Sequence, residues 1–298
     1  MIKFSLFRRW MLAFAVALPL VNSMAYAQSP VRSTAVEVVL AESPKFNLST
    51  IHVDRDGASF LFVGTRHTFD PLNPQIAGVE KLFKAFAPTL VLVEGGDWTI
   101  APNKQEAVQR YSELGFTAYL AAMDKIKIQS ADADFSTEIA NGLKHHSAED
   151  IRLYYALRYV PQWAKQTSAL SIDQQMAQLL ASPEFARHFP QQTRPRSIAE
   201  LESLCAARLP GLNDWRTVQF DLSFHGIKQS LLTEIDRTVS VFRNDHMAQK
   251  LIKAVDQGER VFVIAGVTHL GKIVPQLQAK YFPPKPESPN GGEQASGK

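Results

Sequence analysis

The chain has 298 residues, 45% of them hydrophobic, which is enough for one domain with a sizeable core. The formal net charge is only +3, and no basic stretch is interleaved with aromatic residues, which argues against a nucleic-acid partner. A single cysteine, Cys205, excludes an internal disulfide and a cysteine-rich metal cluster.

The predicted folded domain covers residues 28–282, between two segments of different character. Residues 1–27 have the form of a signal peptide, with a basic start, an apolar stretch at 10–21 and an Ala-Tyr-Ala cleavage site before Gln28. The apolar stretch is short for a membrane span. We therefore expect a periplasmic or secreted protein without a membrane span after cleavage. Residues 283–298 are rich in Pro, Gly and charged residues, which predicts a disordered tail.

The first part of the domain alternates strand and helix patterns. Two β-type runs, 46–53 and 58–63, flank the turn sequence Asp-Arg-Asp-Gly and predict a hairpin. Apolar residues at helical spacing, and short apolar runs bounded by turn residues, define the elements that follow. These are helices at 74–86 and 104–125 and strands at 89–93 and 127–130.

The second part is helical before it returns to a strand. Residues 136–238 are poor in strand signals, and Ser147 has the position of a helix N-cap. A helix at 234–255, ended by Gly258, leads directly into an apolar run at 261–265. This order predicts an α/β fold, with a central mixed or parallel sheet flanked by helices and a helical insertion between the two halves.

Two of the predicted strands end in Gly-x-x-His, at Gly64–His67 and at Gly266–His269. A glycine at a strand end permits a tight turn, so each His is expected to project beyond the carboxyl edge of the sheet. Open α/β sheets bind ligands at that edge. The pattern predicts that His67 and His269 meet at one site, where imidazole suits both metal ligation and proton transfer near neutral pH.

Three acidic residues and one arginine are further candidates for this site. Glu94 ends the strand at 89–93, and two His with one carboxylate are a common divalent-metal set. Arg243, on the helix before the second His strand, offers a fork of donors to an oxyanion or a carboxylate. Asp132 and Asp134 follow the strand at 127–130. Either they add carboxylates or supporting partners to the site, or they serve a loop or a helix cap, and the sequence leaves both interpretations open.

The chain has no Gly-x-Ser-x-Gly elbow, no phosphate-binding Gly-x-x-x-x-Gly-Lys loop and no His-Glu-x-x-His motif. These absences argue against the usual serine hydrolases, nucleotide enzymes and zincins. An active site built on His67, Glu94 and His269 would therefore belong to another class.

The ordered motifs resemble those of the superfamily that joins the TraB/GumN proteins, the Tiki proteases, the erythromycin esterases and the ChaN haem-binding proteins. The resemblance rests on Gly-Thr-Arg-His at 64–67, Val-Leu-Val-Glu-Gly at 91–95, Arg-Asn at 243–244 and Gly-Val-Thr-His at 266–269, and it covers about residues 46–281. It implies an α/β fold with a helical insertion. It also implies a site formed by the four residues that match the family's positions: His67, Glu94, Arg243 and His269.

The superfamily's members differ in chemistry, so the resemblance implies more than one activity. Tiki-like members are divalent-metal-dependent proteases, erythromycin esterases are thought to use His without a metal, and ChaN-like members bind haem. We expect a periplasmic hydrolase of amide or ester bonds, acting on a small-molecule or peptide substrate. In it, His67, Glu94 and His269 would hold a divalent metal (Mn, Co, Zn or Fe), or one His would act as general base on water. Arg243 would stabilise the developing negative charge. The alternative is a haem- or iron-binding protein of ChaN-like type without turnover.

Overall fold

The structure is a computed structural model that describes residues 39–43, 45–55, 58–96, 98–165, 169–218 and 230–281. The predicted signal peptide and tail, and two residues of the predicted hairpin turn, Asp56 and Gly57, lie outside these ranges. Among the helices in these ranges, none has both the length and the apolar character that crossing a bilayer requires.

The described strands form one six-stranded sheet in the order β1-β2-β3-β6-β4-β5. The first three strands pair antiparallel, and the remaining pairs, β3 with β6, β6 with β4 and β4 with β5, are parallel. The α/β class and the mixed sheet are as expected. The bounds are β1 (Val39–Ser43), β2 (Leu48–Arg55), β3 (Ala58–Thr65), β4 (Leu90–Val93), β5 (Lys127–Ser130) and β6 (Arg260–Gly266).

Most helices begin where the sequence places a capping residue. Asn73 accepts a hydrogen bond from the backbone N–H of Gln75, and Pro74 at the first helical position has no N–H to leave unpaired. Ser147 caps the fourth helix as expected. The helices are α1 (Pro74–Phe86), α2 (Lys104–Met123), α3 (Phe135–Gly142), α4 (Ala148–Arg158), α5 (Val160–Lys165), α6 (Ile172–Ala181), α7 (Pro183–Ala186), α8 (Ile198–Arg208), α9 (Leu231–Asp256) and α10 (Val267–Tyr281), with a 3-10 turn at Trp215–Thr217.

Helices cover both faces of the sheet because successive strand residues point to opposite faces. On one face, Phe262 and Ile264 of β6 pack with apolar residues of α1 and α2. On the other face, Val261 and Val263 pack with α9 and α10. Burial on both faces explains why β4 and β6 are continuous apolar runs.

The described residues between β5 and α9 form helices and turns with a core of their own. Tyr154, Tyr155 and Leu157 of α4 are fully buried there, together with Ile235 of α9. The helical character predicted for residues 136–238 is therefore present in this part of the structure. The first half of α9 packs in this helical core and its second half packs against the sheet. The helix therefore connects the helical segment to the sheet.

One predicted helix is not regular. The pattern at 104–125 predicts a continuous helix, but Tyr111 and Ser112 interrupt α2, which ends at Met123. Ser112 has φ 60° and ψ −165°, a combination that is almost restricted to glycine. The residue that follows this kink is Glu113, which is fully buried.

Candidate active site at the strand ends

The structure brings the four predicted site residues together at the carboxyl ends of three parallel strands. His67 lies in the loop after β3, Glu94 directly follows β4, and His269 is the third residue of α10, which begins directly after β6. His269 Nε2 lies 3.2 Å from Glu94 Oε1, and His67 Nε2 lies 4.0 Å from Glu94 Oε2. Arg243 reaches the same carboxylate from α9, with Nη2 2.8 Å from Oε1. Glu94 is therefore the centre of the group.

The glycines of the two Gly-x-x-His motifs have a different purpose from the expected one. Neither Gly64 nor Gly266 adopts a positive φ, and both still lie within their strands, β3 and β6, so neither position uses the left-handed conformation that glycine permits. Both are sites of close approach instead. A Cβ on Gly64 would lie 1.8 Å from Cδ1 of Leu270, and a Cβ on Gly266 would lie 3.3 Å from Nε2 of His67. A side chain at Gly64 would force Leu270, the neighbour of His269, to move, and a side chain at Gly266 would press on His67 and Glu94.

His67 is held by a carboxylate that the sequence analysis missed. Its Nδ1 lies 2.8 Å from Glu113 Oε1, which also accepts a hydrogen bond from the Thr65 hydroxyl at 2.8 Å. The other carboxylate oxygen accepts from the backbone N–H of Thr68 at 2.9 Å. Since an ionised carboxylate only accepts, Nδ1 carries the proton and Nε2 is directed towards Glu94.

Glu113 stays ionised although it is buried. Burial by itself would raise the pKa of this carboxyl, but the hydrogen bond from His67, the charge of His67 when its ring is protonated, and the Thr68 and Thr65 donors outweigh burial and lower the pKa. The kink at Ser112 interrupts α2 directly before Glu113. Backbone strain adjacent to a buried functional group is common at active sites.

His269 is held by an amide instead. Its Nδ1 lies 2.8 Å from Oδ1 of Asn244, whose Nδ2 donates to the backbone carbonyl of Ser240. Both ring nitrogens of His269 therefore face oxygen acceptors, the Asn244 amide and the Glu94 carboxylate. These contacts are satisfied when both nitrogens carry protons, or when a cation takes the place of the Nε2 proton.

The charges around Glu94 make it a strongly stabilised anion. Burial would raise its pKa, but the hydrogen bond from His269, the charge of Arg243, and the charges of His269 and His67 when their rings are protonated lower the pKa well below its usual range. Its Oε2 accepts a further hydrogen bond from the backbone N–H of Gly266 at 2.7 Å. Both carboxylate oxygens thus have protein donors.

Arg243 does not present its donor fork to an open cleft, in contrast to the sequence expectation of an oxyanion-binding arginine. Its Nη2 donates to Glu94 and, at 2.8 Å, to Asp132 Oδ2, while Nε lies 3.2 Å from Asp132 Oδ1. Glu138 Oε2 is 3.5 Å from Nε. Burial disfavours the charged guanidinium, but the carboxylates of Asp132, Glu94 and Glu138 raise the pKa of Arg243 well above its usual range.

The structure gives different contacts to Asp132 and Asp134, whose roles the sequence left open. Asp132 is buried and connects Arg243 to the strand end, because its Oδ2 also accepts from the backbone N–H of Gly95 at 2.9 Å. Asp134 caps α3, accepting hydrogen bonds from the N–H and hydroxyl of Thr137. Asp132 is thus a supporting carboxylate of the site, whereas Asp134 is a helix cap.

The three residues predicted to bind a metal lie close together, but their side chains are not arranged around a common metal position. His67, Glu94 and His269 carry suitable ligand atoms, and each imidazole has Nδ1 held by a hydrogen bond, as metal-binding histidines do. However, the Arg243 guanidinium already occupies Oε1 of Glu94. Within the described ranges, no group of three or more His, Cys, Asp or Glu side chains is arranged to hold a metal ion. Metal binding at these residues stays a prediction.

Three residues that contact the candidate site were not predicted, because their signals are weak in sequence. Glu113 follows no strand and lies in a helical pattern, so the strand-end rule does not select it. The available signal was a charged residue directly before the apolar run Leu114–Phe116, because charged side chains are rarely buried without a partner. Asn244 is the neighbour of Arg243 in the quoted motif, but its partner His269 lies 25 residues away. Glu138, which also bonds to the Tyr155 hydroxyl at 2.7 Å, joins the site only through Arg243.

Comparisons of the chain with models of protein families, with curated proteins and with solved structures give no match. The site must therefore be interpreted from its own geometry.

Proposed function

We propose that the protein is a hydrolase of amide or ester bonds, with His67 as the general base that activates water. The observation that carries the proposal is the His67–Glu113 pair, whose Nε2 is directed at Glu94 Oε2 across 4.0 Å. A buried carboxylate that fixes the tautomer of a half-exposed imidazole is the arrangement that general-base catalysis requires.

The gap between His67 and Glu94 suits one water molecule. A separation of 4.0 Å is too long for a direct hydrogen bond. A water about 2.8 Å from both atoms would close an angle of about 90° at its oxygen, which both acceptors can share. In the proposed reaction this water attacks the substrate carbonyl and gives a proton to His67 Nε2, while Glu94 orients it. The protonated imidazole then returns the proton to the leaving amine or alkoxide.

His269 and Arg243 act on Glu94 in this scheme. His269 is only 9% exposed at its side chain, compared with 46% for His67, so His67 is the imidazole that meets the substrate. Arg243 and His269 keep Glu94 ionised and fix its position. Arg243 is thus a positioning residue in this proposal, in place of the oxyanion role expected from the sequence.

The other chemistries named by the resemblance remain separate predictions. A divalent ion at His67, Glu94 and His269 would supply a more acidic bound water, and it would displace the hydrogen bond that His269 Nε2 makes to Glu94 Oε1. Haem or iron binding without turnover would use the exposed imidazole of His67 as a ligand. The periplasmic location, and a correspondence between the helical segment after β5 and the superfamily's insertion, are part of the same proposal.

The test measures hydrolysis, metal and colour on the same exported protein. Hydrolysis of a panel of nitrophenyl esters and fluorogenic peptides is expected to fall by about 10²–10⁴ in His67→Ala. His145→Ala, which alters an exposed histidine outside the site, is the control and is expected to keep wild-type rates.

Each other outcome selects against this proposal. Hydrolysis that survives His67→Ala unchanged would contradict it. Elemental analysis giving about one equivalent of a divalent metal, lost together with activity in His269→Ala, would favour the metal-dependent mechanism. A visible haem band that disappears in His67→Ala, without turnover, would favour the binding protein.

A further inference from the structure

A second feature of the molecule is a groove between α9 and the edge of the sheet, with a volume of about 440 Å³. One wall is formed by α9 from His246 onwards and by Gln257 directly after the helix, and the other contains Lys127 and Gln129 of β5. None of the four predicted site residues lines it. From His246 to Gln257 this wall is about 16 Å long.

The groove is positively charged. Lys127, Lys250 and Lys253 line it together with a single carboxylate, Glu259. None of the three lysines forms an ion pair within the described ranges, whereas Lys84, Lys104 and Lys280 elsewhere on the surface each pair with a carboxylate. Unpaired lysines that share one concave surface attract anions, because their fields add where protein walls reduce screening.

The remaining lining suits a polypeptide. Gln129, Gln249 and Gln257 supply side-chain amides, which both donate and accept hydrogen bonds and so match peptide groups. Among the described strands, β5 is the last in the sheet and pairs only with β4. The groove follows the face of this outermost strand, and its length of about 16 Å accommodates roughly five extended residues.

The groove also adjoins the candidate active site. His246 and Lys250 follow Arg243 on α9, one and two turns further along the helix. Partial burial lowers the pKa of both side chains, and in each case the negative charge of Asp132 opposes that shift. Asp132, which holds Arg243, therefore lies within electrostatic reach of the groove.

We propose that this groove binds an extended acidic peptide segment, which makes acidic polypeptides the substrate class of the proposed hydrolase. The reaction depends on the proposed function, but the binding does not. The three lysines contact carboxylate side chains, and the glutamines contact the peptide backbone. The segment lies along β5 and leads towards the strand ends where His67 and Glu94 meet.

The experiment measures binding separately from turnover. Fluorescence anisotropy of a fluorescein-labelled hexaglutamate peptide is compared in the wild type and in Lys250→Glu/Lys253→Glu. The matched control is Lys144→Glu/Lys272→Glu, which reverses two exposed charges outside the groove and gives the same net charge. We expect the dissociation constant to rise at least tenfold in the groove variant and less than twofold in the control. A labelled Gly-Ser hexapeptide is expected not to bind.

Two outcomes would overturn the proposal. Equal loss of binding in both double variants would show that net charge alone attracts the peptide. Displacement of hexaglutamate by inorganic phosphate at the same concentration would show that the groove recognises single anions. Hydrolysis of longer acidic peptides, followed by mass spectrometry, is scored independently. Binding without cleavage would contradict acidic polypeptides as the substrate class and leave peptide binding in the groove intact, whereas loss of ester and peptide hydrolysis altogether would contradict the proposed function.

Discussion

The two Gly-x-x-His halves of the site have the same sequence pattern but different surroundings. His67 is 46% exposed and donates to the buried carboxylate of Glu113, whereas His269 is 9% exposed and contacts the neutral amide of Asn244. A carboxylate behind an imidazole stabilises its protonated form during catalysis, and an amide does so much less. The same motif thus places its two imidazoles against different Nδ1 partners, and in the proposed mechanism this difference gives the two histidines different roles.

The largest expected difference between the halves concerns activity. Glu113→Gln puts an NH2 donor either against the Thr65 and His67 donors at Oε1 or against the Thr68 N–H at Oε2, and it removes the negative charge behind His67. It should therefore lower kcat of the proposed hydrolase by about 10²–10⁴. Asn244→Asp keeps an acceptor for His269 and should lower kcat less than tenfold. Steady-state kinetics measures both, and imidazole nitrogen NMR reports the tautomer of His67 independently. Similar losses in the two variants would remove the distinction between the halves.

The next largest effect concerns the free energy of unfolding and the ion pairs of Arg243, whose partner Glu94 also contacts His269. Arg243→Met leaves the buried carboxylates of Glu94 and Asp132 without their cation, and we expect a loss of about 3–5 kcal/mol in the free energy of unfolding. Arg110→Met, which removes the exposed pair with Glu106, should cost about 0–1 kcal/mol. Urea unfolding measures both. Equal losses would mean that solvent reaches the Arg243 network far more than its burial indicates.

Local patterns were sufficient to predict most of the fold. Pro74–Phe86 and Lys127–Ser130 have the predicted bounds, since helical periodicity, capping residues and short apolar runs are local signals. The strand-end rule also predicted that His67, Glu94 and His269 converge, because parallel strands place their carboxyl ends at one edge.

The remaining parts of the site depend on non-local contacts. Glu113 reaches His67 only because α2 kinks at Ser112, and a helical pattern does not encode a kink. The contact of Arg243 with Asp132 spans 111 residues, so neither residue indicates the other in the sequence. The Gly64 and Gly266 positions were correct, but their purpose depends on Leu270 and His67, which approach from other segments.

A smaller effect tests whether the kink positions Glu113 under strain. Ser112 adopts φ 60° and ψ −165°, which costs a residue with a Cβ about 1–3 kcal/mol. We expect Ser112→Gly to be more stable than Ser112→Ala by about this amount, since both remove the hydroxyl and only glycine tolerates the conformation. In a regular helix the order would be reversed, with alanine more stable by about 1 kcal/mol. Thermal unfolding of the two variants decides between these cases.

The smallest expected effect is the response of the two halves to acid. Glu113 has a lowered pKa in the folded state, so its contribution to stability is fully present above its ordinary value of 4.5 and is lost as the pH falls through the lower, folded value. The acid-induced decrease in the free energy of unfolding between pH 7 and 3 should therefore be shallower in Glu113→Gln than in the wild type.

Asn244→Ala is the control for this measurement, because the amide behind His269 does not titrate. Its decrease with acid should parallel that of the wild type, since Glu94 and Glu113 are retained in both proteins. If Glu113→Gln also parallels the wild type, the carboxyl behind His67 is not more acidic in the folded state than in the unfolded chain. The ion pair that distinguishes the exposed histidine from the buried one would then contribute nothing to folding.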